Sequence, residues 1–150
     1  MSAFAGERAV WSHAFVVALP PAQAFTLFEP EGERRWAEGW DPRYVYPADG
    51  RTEAGMVFTT GHGSETTLWT MVRHDPAGGI AEYVRVTPGE RIAGVLVQCA
   101  DAGGGSTRVT VVYTFTGLDA KGNEYVRGWD AARFAAYIDG WGEAIAAALG

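Results

Sequence analysis

The chain has 150 residues, 47% of them hydrophobic and 20% charged, the size and composition of one compact domain spanning residues 1–150 and able to bury a real core. A net charge of −6 with no Lys/Arg cluster argues against a phosphate-binding surface and so against nucleic acid as a partner. The single cysteine, Cys99, excludes an internal disulfide and fits a reducing, cytoplasmic compartment, while no apolar run is long enough to insert in a membrane and the N-terminus lacks the pattern of a secretory signal.

From Val10 to Leu19, Trp11, His13, Phe15, Val17 and Leu19 alternate with smaller residues, which is the period of a strand with its bulky side chains on one face. Pro20 and Pro21 stop it. Pro21 can open a short helix over Ala22 to Phe28, because proline at the first helical position gives up no needed hydrogen bond. Pro30 ends that helix and begins a second, predicted to run to about Gly39.

The segment from Pro30 to Pro47 holds four aromatic and seven charged residues in eighteen positions. Its aromatics need burial or a ligand and its charges need water or partners, so it reads as a lid with one apolar side. Trp36 and Trp40 are four apart and share a face if the helix survives Gly39. They pack on a sheet edge or wall a cavity mouth. Glu33, Arg34 and Glu38 fit a solvated helix face, with Arg34 and Glu38 at the spacing of an ion pair.

After Tyr46 the turn signals become regular, and strands are predicted at Arg43 to Tyr46, Gly55 to Gly61, Glu65 to Arg73, Ile80 to Val86, Arg91 to Ala100 and Thr107 to Thr116. Short turns between consecutive strands favour an antiparallel meander. The last strand has the clearest phase, with Val109, Val111, Tyr113 and Phe115 on one face and Arg108, Thr110, Thr114 and Thr116 on the other. The final thirty residues take helical period, with Asn123 as a cap and strong helix formers from Ala131. Phe134, Ile138, Trp141, Ile145 and Leu149 form one face, which extends N-terminally to Asp130 and Arg127; Gly140 and Gly142 should weaken or bend this helix near Trp141.

FVVALPPAQAFTLF (Phe15 to Phe28), PEGERRWAEGWDP (Pro30 to Pro42), VTVVYTFTGL (Val109 to Leu118) and the terminal helix through Trp141 together resemble the START-like, Bet v 1-like (SRPBCC) superfamily, and in particular its polyketide cyclase/dehydrase-like bacterial branch. The resemblance spans nearly the whole chain. It implies an α+β helix-grip fold, in which a seven-stranded curved antiparallel sheet wraps a long C-terminal helix and two short helices follow the first strand. It also implies a cavity between sheet and helix for an apolar or amphipathic small molecule, lipid- or polyketide-like. The superfamily hosts binding proteins, cyclases and interaction modules and shares no catalytic motif, so no catalytic residue carries over.

The histidines His13, His62 and His74 are the natural acid/base candidates. His13 faces the pocket if the Trp11 face is inward, whereas His62 and His74 fall at turns. No metal-ligand spacing joins them, and neither a metal nor a cofactor is expected. The Ser, His and Glu of Gly61 to Glu65 sit in a strand-to-strand turn rather than a nucleophile elbow. Tyr83 and Arg85 share one face of the fifth strand. Outward is the default for an arginine, because unpaired buried charge costs several kcal/mol; inward, Arg85 is a cavity cation for a carboxylate, phenolate or enolate.

The candidate ligand-binding set is Trp36, Trp40, Phe58, Trp69, Tyr83, Arg85, Tyr113, Arg127, Asp130 and Phe134. The leading expectation is binding of an apolar or aromatic molecule. The alternatives are a cyclase/dehydrase-type enzyme, with His13, Arg85 or the Arg127 and Asp130 pair acting on an enolisable ligand, and a protein-interaction module resembling the chaperone-activating branch, which needs an exposed apolar patch on the outer sheet face. A homodimer is left open.

Overall fold

A computed structural model describes residues 3–150. In chain order the elements are β1 (Arg8–Val17), α1 (Pro21–Thr26), α2 (Pro30–Glu33), β2 (Arg43–Tyr46), β3 (Val57–His62), β4 (Glu65–Asp75), β5 (Ile80–Thr87), β6 (Arg91–Gly103), β7 (Ser106–Gly117), α3 (Ala120–Arg127) and α4 (Ala131–Leu149). The strands form one antiparallel sheet in the order β1-β7-β6-β5-β4-β3-β2. Only the long passage from β1 to β2 crosses between the sheet's two edges; every later strand pairs with its predecessor, β3 after the loop of residues 47–56 and the others through short turns. This is the helix-grip order that the sequence pattern implies.

The phase of β7 decides which face is covered. Val109, Val111, Tyr113 and Phe115 are at most 2% exposed, because α4 lies across this side and buries Phe134, Ile138 and Ile145 against it. Helix α4 runs unbroken through both glycines. Each has a use there: a Cβ on Gly142 would stand 3.1 Å from the Phe15 ring of β1, whereas Gly140 has open space before it. The first lets the helix approach the sheet; the second leaves a gap.

Two helix starts differ from the sequence expectation. The Asp119 carboxylate accepts from Gly122 N at 2.8 Å and begins α3, and Asp130 accepts from Arg133 N at 2.7 Å and begins α4, each satisfying a donor that the helix start leaves free. Asn123 is not a cap. Its amide clamps the N-terminal segment, accepting from Glu7 N at 2.8 Å and donating to the Ala5 carbonyl at 3.1 Å. Among the described residues no helix is long and apolar enough to cross a membrane.

Candidate functional site

A cavity of about 790 Å³ opens between the inner face of the sheet and α4, with residues 36–40 over its mouth. It exists because the helix packs on β1 and meets β7 through the Tyr113 ring, while the sheet continues through β6 to β3 with nothing of equal size laid on it. Its walls are aromatic. Trp36, Trp40, Trp69, Tyr83, Tyr113, Tyr125, Tyr137 and Trp141 all line it, with Val95 and Val97 of β6 at the back.

The lid does not form as the predicted helix. Helix α2 ends at Glu33, and the chain continues in tight turns, with Arg35 N donating to Gly32 O at 3.1 Å and Trp36 N to Glu33 O at 3.2 Å. Two indoles fix its course. Trp36 Nε1 donates to the Leu27 carbonyl and Trp40 Nε1 to the Pro30 carbonyl, both at 2.8 Å. With their polar edges so used, the rings present apolar faces: Trp36 meets Trp141 of α4 at 5.6 Å between centroids, and Trp40 meets Trp69 of β4 at 5.4 Å. Arg34 does not pair with Glu38. It reaches Glu31 at 2.8 Å, Asp41 at 3.1 Å and the Pro42 carbonyl at 3.2 Å, and Tyr44 adds its hydroxyl to the same Glu31 carboxylate. The charged side of the lid is thus a latch facing water. Beside Arg34, burial and the Glu31 carboxylate push the Tyr44 phenol up to about 12.

Strand β5 supplies the cation. Ala81, Tyr83 and Arg85 alternate inward, and Arg85 stands between Trp69 on β4 and Ala93 on β6. The sequence default of an outward arginine is therefore corrected: the side chain lies in the cavity wall, its guanidinium carbon 5.1 Å from the Tyr113 ring centre and 5.8 Å from that of Trp69. Aromatic faces accept a cation here in place of a carboxylate. Burial works against its charge, but the phenolic groups of Tyr113, Tyr137 and Tyr125 outweigh it and hold its affinity for the proton above the ordinary value. Tyr83, beside it, is anchored by its hydroxyl, which donates to the buried Phe28 carbonyl at 2.6 Å. Burial drives both the Tyr83 and Tyr113 phenols well up, so both stay neutral.

Glu33, expected on a solvated face, instead lines the cavity. Burial pushes its carboxyl well above the usual carboxylate range, and no ion pair offsets this among the described residues. The signal was present in the sequence, since Glu33 lies three positions before Trp36 and shares its side of a helical turn.

Six of the ten predicted residues meet in the cavity: Trp36, Trp40, Trp69, Tyr83, Arg85 and Tyr113. The other four stand elsewhere. Phe58 is fully buried behind the wall, stacked on Trp69 at 5.6 Å, and Phe134 is core against Tyr113 at 5.4 Å. Arg127 pairs with Glu7 at 2.6 Å on the surface, and Asp130 is occupied as the cap of α4. Both follow from their place at a helix junction, where solvent and free backbone donors compete for them.

His13 is likewise outside the cavity, its Nε2 2.8 Å from Asp139 of α4. His74 belongs to β4 rather than a turn and meets Glu29 at 2.7 Å, against the Phe25 ring. His62 is exposed on the cavity rim. Cys99 is buried, which pushes its thiol up to about 11 and leaves it protonated.

No protein-family model matches the chain, and no curated protein does. Solved structures do. Norcoclaurine synthase from Thalictrum flavum, in complex with dopamine and hydroxybenzaldehyde, superposes with a TM-score of 0.66 at 10% identity, over 93% of this chain and 87% of that one. Ara h 8.0201 gives a TM-score of 0.67 at 16% identity, over 95% and 99%. An uncharacterised protein from Rhizobium leguminosarum gives 0.66 at 15%, over 93% and 95%. The chain therefore has the Bet v 1-like helix-grip fold. At these identities the likeness is one of fold, and the site must be argued from its own residues.

Proposed function

We propose that the protein binds a small aromatic or amphipathic molecule in the cavity between the sheet and α4. The observation that carries this is the wall itself: about 790 Å³ bounded by tryptophan and tyrosine rings, three of whose indole N–H groups are already used, by Leu27, Pro30 and Thr60. Rings so held offer preformed apolar surface and lose little freedom when a ligand arrives. That structural neighbours of the same fold include a synthase in complex with aromatic compounds supports the reading. Native mass spectrometry of freshly purified protein, together with tryptophan quenching by N-phenyl-1-naphthylamine, tests it. Binding in the micromolar range is expected, and the absence of both a retained molecule and any quenching defeats it.

A proton-transfer enzyme is the second reading, favoured by one observation. A carboxyl whose hold on its proton burial strengthens, Glu33, and a cation, Arg85, line the same cavity, as an acid/base and an oxyanion stabiliser would have to. His13, Arg127 and Asp130 play no part in it, being engaged elsewhere. Deuterium uptake into 2-tetralone in D₂O, faster with the protein and abolished in Glu33→Gln, is the outcome this reading requires.

A further inference from the structure

The ligand's charge can be taken further, resting on the reading that the cavity binds a small molecule. Arg85 is the one Lys or Arg among the described cavity-lining residues. It is absent from every ion pair that the described residues make. Its partners are the Trp69 and Tyr113 rings and the Tyr137 hydroxyl; the rings stabilise charge through their faces but do not accept in-plane N–H bonds, and one hydroxyl leaves most of the guanidinium donors without an acceptor. Those donors form a planar fork that matches a carboxylate.

Among the described residues no carboxylate is paired with it. Burial pushes the Glu33 carboxyl well above the usual carboxylate range, against its charged form, and Tyr83 and Tyr113 are neutral phenols. At the rim, Glu65 is paired with Arg91 at 3.1 Å and Glu38 is exposed. The one basic side chain of the cavity lining therefore stands without an ion-pair partner within aromatic walls, and a desolvated charge of this kind is strongly stabilised by an anion brought to it.

We propose that the ligand is an aromatic monoanion, its carboxylate or equivalent planar oxyanion seated on the Arg85 guanidinium and its ring against the aromatic wall that Trp69, Trp36 and Trp141 form. A neutral lipid leaves Arg85 unmatched and is the poorer occupant.

Isothermal titration with 2-naphthoate and its neutral isostere 2-naphthamide separates charge from shape. The expected result is that the wild-type protein binds naphthoate at least tenfold more tightly, that Arg85→Gln brings the two to equal affinity, and that Arg85→Lys keeps part of the preference. Equal affinities in the wild type, or a preference that survives in Arg85→Gln, overturn the proposal and leave cavity binding standing. Failure of both compounds to bind at millimolar concentration overturns both. The wild-type comparison needs no variant, so a misfolded Arg85→Gln does not remove the test.

Discussion

Glu33 is a carboxyl placed where a carboxylate is costly, since it faces the cavity without a cationic partner. Its proton is held more tightly in the folded than in the unfolded chain, so between the ordinary carboxyl range and its own raised value the folded state carries a proton that the unfolded state has lost. Stability then falls as pH rises through that window. Glu33→Gln removes the effect. It is expected to raise unfolding free energy at pH 8 by roughly 1–3 kcal/mol, the range for an unsatisfied buried polar group, and to change it little at pH 4; urea titrations at the two pH values check this. Tyr83 gives the opposite case, a buried polar group that is fully used. Tyr83→Phe leaves the Phe28 carbonyl without its 2.6 Å partner and is expected to cost about 1–2 kcal/mol in the same assay. From sequence, that Tyr83 shares a face with Arg85 was legible because strand alternation is strict, although not which way that face points. The partner of its hydroxyl was not, because Phe28 lies fifty-five positions away and only the tertiary fold brings it there.

At the scale of elements, the lid shows where local pattern stops being informative. The run from Pro30 has helical spacing of Trp36 and Trp40, yet α2 ends at Glu33, because both indoles are drawn to carbonyls at and before the start of α2 and Gly39 takes φ +73°. Tertiary hydrogen bonds override a weak propensity in so short a segment. The same limit hid α3, whose cap Asp119 directly precedes it, while Asn123 was the more visible candidate. Strands fared better: β2 has the predicted bounds, and β7 lies within a residue of them at each end, since alternation and glycine turns act locally. Gly32 is the point on which the lid's base depends. A Cβ there would stand 1.7 Å from the Thr26 carbonyl oxygen and 2.9 Å from Leu27 Cα, so α2 touches the end of α1 backbone to backbone. Gly32→Ala must push the two apart. A loss of about 1–3 kcal/mol is expected, with weakened 2-naphthamide binding, because the Trp36 anchor on Leu27 moves too; thermal melts and titration read the two effects together.

For the whole molecule, the cavity is apolar burial forgone, and two neighbouring valines test that against a packed core. Val97 of β6 and Val111 of β7 are directly paired across the sheet and are 2% and 0% exposed, so by burial alone they are alike. Both belong to the buried core that includes α4's inner residues, but they differ in one respect: Val97 also lines the cavity, whereas Val111 does not. A phenyl ring added at Val111 meets close-packed atoms and is expected to cost about 1–3 kcal/mol. The same ring at Val97 enters empty volume, where new contacts offset the change, and stability should stay within about 1 kcal/mol of wild type. Binding should respond in the reverse order, Val97→Phe losing 2-naphthamide affinity at least tenfold while Val111→Phe, if folded, loses far less. Equal destabilisation by both substitutions, measured by chemical denaturation, would mean that the space beside Val97 is filled in solution. A cavity retained for a ligand requires the asymmetry.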